Sequence, residues 1–446
     1  MGKKAVVLSG GGAKGGYQIG AWTALRKMGF YPDIVTGTSV GALNGALMAL
    51  DKYDDALNIW QNMSMDSVFQ KFVDYSDEEN SNHENFFKIM AKEALLNGGA
   101  DYTPLQELVK GLMDEQSLRL SPVKFGLVTT TFPKIKPVEM FIEDIPVGKA
   151  ADYVLASAAA FPFMKSYKIG EAAFVDGGYS DNMPIQMAID AGAEDIVIIN
   201  IGSSSGSKLK DYEGIKFRYI VSKRPLTEKF GGMLMFDKET SLNHIKQGEL
   251  DTYKAFDMLD GYYYSFKRFE KYKITPFEVY CSSKFEYIFS GLPNANRFEK
   301  NGRESILNHL RGYDDRPFEF NSNVLYCAEA AAEIFELNPR DVYTMDSMNK
   351  LVLKNCTSLI TEEYGEQVDI LSEKLDKGIS IDLLKLVLDN FDKKFLLAYC
   401  LKLMLKNFLN PAEKRRLWAV ADITPQTFCA ALFCYASIMN EKGKDL

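Results

Sequence analysis

The sequence predicts a doubly wound α/β domain with a mostly parallel sheet, followed by an α-helical C-terminal domain. Three observations carry this. Short apolar runs such as Ala5–Leu8 and Ile196–Asn200 have the length and β-branched content of buried strands. Over the first fifty residues, runs of this kind alternate with glycine turns and helical spacing, in the order strand, turn, helix, strand, turn, helix. Beyond about residue 300 the pattern is persistently helical.

Taken in order, Ala5–Leu8 is a strand and Ser9–Gly16 a glycine turn. Ile19, Trp22, Leu25 and Met28 recur every three residues, so Tyr17–Met28 is a helix; Gly29 suits its C′ position and Pro32 blocks its continuation. Asp33–Thr36 is a second strand, and Val40–Leu50, rich in Ala and Leu, a second helix. Residues 51–100 are strand-poor and strongly polar over 74–82, an excursion between helical patches. Thr103-Pro104-Leu105-Gln106 has the form of a capping box with proline at N1. Further strands are expected at Phe125–Thr131, Glu139–Phe141, Phe174–Asp176 and Ile196–Asn200, with a helix at Ala150–Ala159. Asn338-Pro339, Asn410-Pro411 and Thr424-Pro425 each pair an N-cap residue with an N1 proline and predict three helix starts. The break between domains is expected between 290 and 320, giving an α/β domain over 1–300 and a helical domain over 301–446. No repeat of fixed period is evident.

Composition removes several function classes. The chain has 446 residues, with 52 Lys and Arg against 60 Asp and Glu, a net charge of −8 that argues against a nucleic-acid-binding face. Three histidines are too few for most multi-His metal sites, and calcium-loop spacing is missing, so no metal and no cofactor is expected. The six cysteines (281, 327, 356, 400, 429 and 434) show no C-x-x-C spacing and read as reduced, buried thiols. Only four apolar residues follow Lys3-Lys4, short of the about 7–15 of a signal-peptide core, and no run reaches the ~18 apolar residues of a membrane span. The expectation is a soluble cytoplasmic protein, with leaderless export left open.

Three segments at predicted strand ends carry chemistry. Gly10-Gly11-Gly12-Ala13-Lys14-Gly15-Gly16 matches G-x-G-x-x-G between a strand and a helix. The acidic residue that a dinucleotide site wants at the end of the second strand is missing, and Gly15 follows Lys14 where a Walker A loop needs Ser or Thr. What remains is a row of backbone N–H groups at a helix start, suited to a phosphate, to a transient oxyanion, or to a plain tight turn. Gly37-Thr38-Ser39-Val40-Gly41 is a G-x-S-x-G at a strand-to-helix junction, where the small flanks allow a sharp elbow that exposes a serine nucleophile; the bland alternative is an ordinary Ser N-cap. Asp176-Gly177-Gly178 closes another strand. None of the histidines fits as base for Ser39, since His83 lies in the polar excursion and His244 and His309 lie in helical stretches. A desolvated carboxylate can serve instead, so Asp176 is a candidate base, against the alternative of an Asx turn.

Together, and in this order on one α/β domain, the three segments resemble the patatin-like phospholipase family. The resemblance extends over Pro32–Asn44, over the small-residue stretch Ala156–Pro162 and over Asp176–Pro184; it is good over about residues 4–205 and covers nothing past 300. It implies a three-layer α/β/α fold and a Ser–Asp dyad acyl hydrolase: Ser39 as nucleophile on an elbow of Gly37, Thr38, Val40 and Gly41, and Asp176 as general base on a turn supported by Gly177 and Gly178. Gly10, Gly11, Gly12, Lys14 and Gly15 would form the oxyanion loop, with Gly11 and Gly12 the donors. Lys14 stands where the family carries Lys or Arg; it orients the loop, meets a phosphate, or is a surface lysine. The implied substrate is a carboxyl ester of a glycerophospholipid or lysophospholipid, met by transient contact with a membrane surface. Within 51–100, Met63, Met65, Val68, Phe69, Phe72, Phe86, Phe87, Ile89 and Met90 form a candidate lid, or ordinary helix cores. Rival readings are a transacylase on the same dyad, a hydrolase with a Ser-Asp-His triad, a non-catalytic lipid-binding module and a nucleotide-binding oxidoreductase.

Overall fold

A computed structural model describes residues 2–70, 83–202, 212–226, 232–268, 297–313, 320–360, 364–376, 392–406 and 410–442. The acidic tip of the excursion, Phe72, Cys281 and the apolar stripe of Leu383, Leu384, Val387 and Leu388 lie outside the described residues. The chain forms two compact units, Met1–Asp257 and Met258–Leu446.

The first unit is built on an eight-stranded sheet. Its strands are β1 (Lys3–Leu8), β2 (Ile34–Thr38), β3 (Lys124–Phe132), β4 (Pro137–Phe141), β5 (Tyr167–Ile169), β6 (Ala172–Asp176), β7 (Ala193–Asn200) and β8 (Lys216–Val221). Hydrogen bonding runs β5-β6-β3-β2-β1-β7-β8, with β4 also on β3. The pairs β1–β2, β1–β7, β2–β3 and β7–β8 are parallel, and β4, β5 and β6 pair antiparallel. Both faces of β1 are buried, which explains its unbroken apolar run. Val6 and Leu8 face one core, and Ala5 and Val7 face another. The larger core takes helices α1 (Gly16–Lys27), α2 (Val40–Ala49) and, further along the chain, the Ala150–Ser157 helix; the smaller takes the Ile185–Asp190 helix. The expected mostly parallel sheet with flanking helices is therefore present.

The excursion after α2 folds as α3 (Tyr53–Gln61) and α4 (His83–Asn97) and leads into α5 (Thr103–Leu112). The capping box expected at Thr103 does not form. Asp101 Oδ1 accepts both the Thr103 N–H (2.9 Å) and its hydroxyl (2.6 Å), so Thr103 is drawn into the helix as its first residue and Tyr102 holds the cap position. The remaining helices of this unit are α6 (Glu115–Leu120), α7 (Ala150–Ser157), α8 (Ile185–Asp190) and α9 (Lys238–Ala255).

The register of β3 positions the site. Val128 pairs with Thr38 of β2 and with Glu139 of β4; Thr129 pairs with Val138 of β4 and with Asp176 of β6. A strand has two edges, and β4 occupies one of them at both residues. The parallel β2 and the antiparallel β6 therefore share the other edge, and their carboxyl ends meet there.

The second unit begins well before the expected break near 300. Leu259–Asp260 (β9) and Ser265–Lys267 (β10) pair with each other, and β10 pairs with Val342–Tyr343 (β11), so the tyrosine-rich segment after Asp257 is committed to this unit. Tyr264 and Phe266 are buried in its core, among helices that include Phe320–Ile334, Lys393–Met404, Pro411–Ile423 and Pro425–Lys442. The buried Glu329 carboxylate accepts backbone N–H groups from Tyr262, Tyr263 and Tyr264 at 2.6, 3.1 and 3.3 Å, which fixes the turn before β10. The Asn410 cap forms as expected, with a reciprocal bond from Glu413, and a helix starts at Pro425. No helix starts at Pro339. Asn338 spends its side chain on the Arg340 N–H and on Asp341, and the next helix begins at Met345, capped by Thr344 and Ser347. The five described cysteines, 327, 356, 400, 429 and 434, are buried.

Close approach of α2 to the sheet demands glycine at Gly41, where a Cβ would lie 2.3 Å from the Leu8 carbonyl oxygen. At Gly45, one helical turn on, the nearest atom is the Val35 side chain at 3.1 Å. Gly41→Ala should therefore lower stability by about 1–3 kcal/mol or more, while Gly45→Ala should cost much less because it recovers about 1 kcal/mol of helix propensity. Urea titrations of the two variants give the comparison; equal losses would contradict the packing described.

Candidate active site

Ser39 stands between the last residue of β2 and the first of α2, with φ 59° and ψ −129°. Positive φ is costly for a residue with a Cβ and persists only where its surroundings hold it. Several contacts hold Ser39. Its N–H donates to Ser157 Oγ (2.9 Å), whose hydroxyl donates to the Val128 carbonyl (2.6 Å). The preceding Thr38 hydroxyl donates to the Asp181 carbonyl (2.8 Å). Gly37 and Gly41 face each other so closely that a Cβ on Gly37 would lie 2.2 Å from the Gly41 oxygen. Ser39 thus sits on a tight strand-to-helix turn, at the positive end of the α2 dipole.

The Ser39 hydroxyl donates to Asp176 Oδ2 at 2.5 Å. The other carboxylate oxygen, Oδ1, accepts the Gly178 N–H at 2.7 Å, and the Asp176 N–H donates to the Ala159 carbonyl at 2.8 Å. The Asx turn weighed for this aspartate is therefore real, and it fixes one oxygen while leaving the other to the serine. Gly177 must be small, because its Cβ would lie 2.2 Å from the Val128 oxygen. Burial pushes the Asp176 carboxyl up to about 6, against the opposing pull of the Ser39 and Gly178 hydrogen bonds.

The glycine loop closes over the same point. A Cβ on Gly10 would lie 3.0 Å from Ser39 Cβ. The Gly10 N–H is spent on the Asn182 carbonyl (3.2 Å), whereas among the described residues the Gly11 and Gly12 N–H groups have no acceptor. Gly12 has φ +57°, and its Cβ would lie 2.0 Å from the Met233 oxygen, so this position admits no side chain. Lys14 is buried, not a surface lysine: Nζ donates to the Ile201 carbonyl at 3.2 Å, and burial lowers its pKa. It ties the loop to the end of β7. Gly15 packs against the Trp60 ring, where a Cβ would approach to 2.3 Å.

Behind the loop is a buried amide chain that the sequence did not signal. Trp60 Nε1 donates to Asn44 Oδ1 (2.9 Å), Asn44 Nδ2 to Gln18 Oε1 (2.8 Å), and Gln18 Nε2 to the Ser9 carbonyl (2.7 Å). It links α1, α2 and α3 and holds the Trp60 ring in place. Ser157 and Asn182 were also missed as individuals, although both lie inside the stretches that carry the family resemblance. Neither His244 nor His309 takes part in the serine's hydrogen bonding: His244 Nε2 lies 2.5 Å from the Leu226 carbonyl, and His309 packs edge-on against Tyr326.

Ser39 and Asp176 open on a cavity of about 520 Å³ whose wall is mostly apolar. Excursion residues Met63, Val68, Phe86, Phe87 and Met90 supply much of that wall, and Phe87, Tyr179 and Met233 are partly exposed beside it. Among the described residues, no helix is long and apolar enough to cross a membrane.

Residues 6–189 match the family model described as patatin-like phospholipase. The chain is 27% identical over 251 residues to patatin-like phospholipase domain-containing protein 7 of Rattus norvegicus, covering 54% of this chain and 17% of that protein. It is 26% identical over 215 residues to lysophospholipase nte1 of Aspergillus terreus, covering 46% of this chain and 12% of that one. It is 27% identical over 229 residues to the cUMP-AMP-activated phospholipase of Escherichia coli, covering 45% and 64%. The chain thus spans less than a fifth of the length of the two longer relatives.

A carboxyl raised to about 6 in the folded state, against 3.8 unfolded, takes up its proton more readily when folded. Its contribution to stability is complete below about pH 4 and is lost as pH rises through 6, up to about 3 kcal/mol. Asp176→Asn should therefore be more stable than the wild type at pH 8, with the gap closing toward pH 4. Denaturant titrations across that range measure it, and a gap independent of pH would contradict the desolvated carboxylate.

Proposed function

We propose that this protein is a lipid acyl hydrolase of the phospholipase A or lysophospholipase type, acting on carboxyl esters of glycerophospholipids. The observation that carries the reading is the direct hydrogen bond from the Ser39 hydroxyl to Asp176, with no imidazole between them. Asp176 takes the serine proton as Oγ attacks the ester carbonyl. The negative charge that develops on the carbonyl oxygen is received by the Gly11 and Gly12 N–H groups and by the start of α2. Collapse of this intermediate expels the lysolipid or glycerol-phosphate alcohol, which takes the proton back from Asp176, and leaves the acyl group on Ser39. Water then attacks the acyl-enzyme, Asp176 again accepting the proton, and collapse releases the fatty acid while the departing Ser39 Oγ takes the proton back from Asp176. The apolar cavity supports a fatty acyl chain as the group transferred. The excursion is assigned to holding that chain, and the partly exposed Phe87, Tyr179 and Met233 to contact with the lipid surface.

A fluorophosphonate probe should label the wild type and leave Ser39→Ala unlabelled; uptake by Ser39→Ala at the wild-type rate would overturn the assignment of the nucleophile. Gly12→Ala keeps its N–H but must shift the loop, since its Cβ would meet the Met233 oxygen; activity should fall on the order of 100-fold to 1000-fold, the range for a misplaced oxyanion donor. The pH profile of kcat/KM should fall on the acid side with an apparent pKa near 6, where Asp176 becomes protonated and can no longer accept the serine proton. A profile flat from pH 5 to 8 would exclude Asp176 as base.

A further inference from the structure

Behind the main cavity lies a second, smaller one of about 50 Å³, lined by α2, α3, α5 and the segment after α3. Leu43, Trp60, Met63 and Leu105 line both cavities and so form the partition between them. Its members differ in stiffness. Trp60 is pinned by its indole hydrogen bond to Asn44 and by the Ser241 hydroxyl on its carbonyl oxygen (2.5 Å). Leu105 is anchored in α5. Met63 sits in the non-helical link after α3, and its unbranched side chain adapts to what it touches more readily than a ring or a branched chain does. The only polar side chain on the second cavity, Asn44, is already satisfied by Trp60, Gln18 and Gly15, so the space behaves as apolar.

We propose that this second cavity is the end of the acyl-binding site, entered past Met63, and that Met63 sets the length of fatty acyl chain the enzyme prefers. The inference rests on the acyl-hydrolase reading and adds to it the substrate chain length. The main cavity is about 520 Å³ and the second about 50 Å³, so the second adds space for only the last few methylenes of a chain already held in the main one, enough to separate palmitoyl from stearoyl.

The test is the ratio of kcat/KM for stearoyl over palmitoyl p-nitrophenyl esters in wild type, Met63→Ala and Leu108→Phe. Met63→Ala removes the partition, whereas Leu108→Phe fills the second cavity from the α5 side. The ratio should rise in the first and fall in the second, by up to about 15-fold each, since each methylene buried contributes about fourfold. Because the two changes push in opposite directions, general damage to the fold cannot imitate the pattern. A ratio unchanged within twofold in both variants, or moved the same way in both, overturns the length assignment while leaving the acyl-hydrolase reading in place. A wild type that takes up no fluorophosphonate and hydrolyses no ester of any length removes the basis of both.

Discussion

The Ser39 hydroxyl and the Asp176 carboxylate meet because one strand, β3, lends a single edge to two others. With β4 on the opposite edge at Val128 and Thr129, the ends of β2 and β6 are forced together from opposite directions. Nearly every other feature of the site serves that junction. The hydroxyls of Thr38 and Ser157 tie it to neighbouring backbone, Gly37, Gly41 and Gly177 remove the atoms that would hold its parts apart, and the turn at Gly178 fixes one carboxylate oxygen so that the other is presented to the serine.

In the proposed hydrolase the same junction lets a carboxylate serve where histidine is the commoner partner. Asp176 is buried enough that its charged form is disfavoured, which raises its basicity toward the range a general base needs near neutral pH. Two hydrogen bonds keep it from becoming a neutral acid outright. Excluding water from the cavity raises the Asp176 carboxyl and, in the proposed hydrolase, also favours an acyl chain, and the apolar excursion residues line that space.

Much of the site was legible in the sequence because it depends on local backbone geometry. A turn that needs close approach or unusual dihedrals must be written in glycine, so the loop at Gly10–Gly15, the elbow at Ser39 and the turn at Asp176 all announce themselves. The two misread helix starts share a physical cause, which is competition by a neighbouring polar side chain. Thr103 lost its cap role to Asp101, and Asn338 was diverted into a turn with Arg340 and Asp341. Lys14 carries no mark of burial in its sequence neighbourhood, because the carbonyl it meets belongs to Ile201, far along the chain.

The succession of strands, turns and helices in the first unit, the buried faces of β1 and β7, and the three candidate segments were all legible in the residues, since each follows from periodicity or from steric demand within a few positions. That Ser39 and Asp176 touch, that the excursion walls a cavity, and that the chain divides at Asp257 emerge only on folding. Those outcomes turn on the register of β3 and on which distant side chains share a core. Strand register brings together partners far apart in the chain, and a slip of one residue would turn every side chain of a strand to the other face.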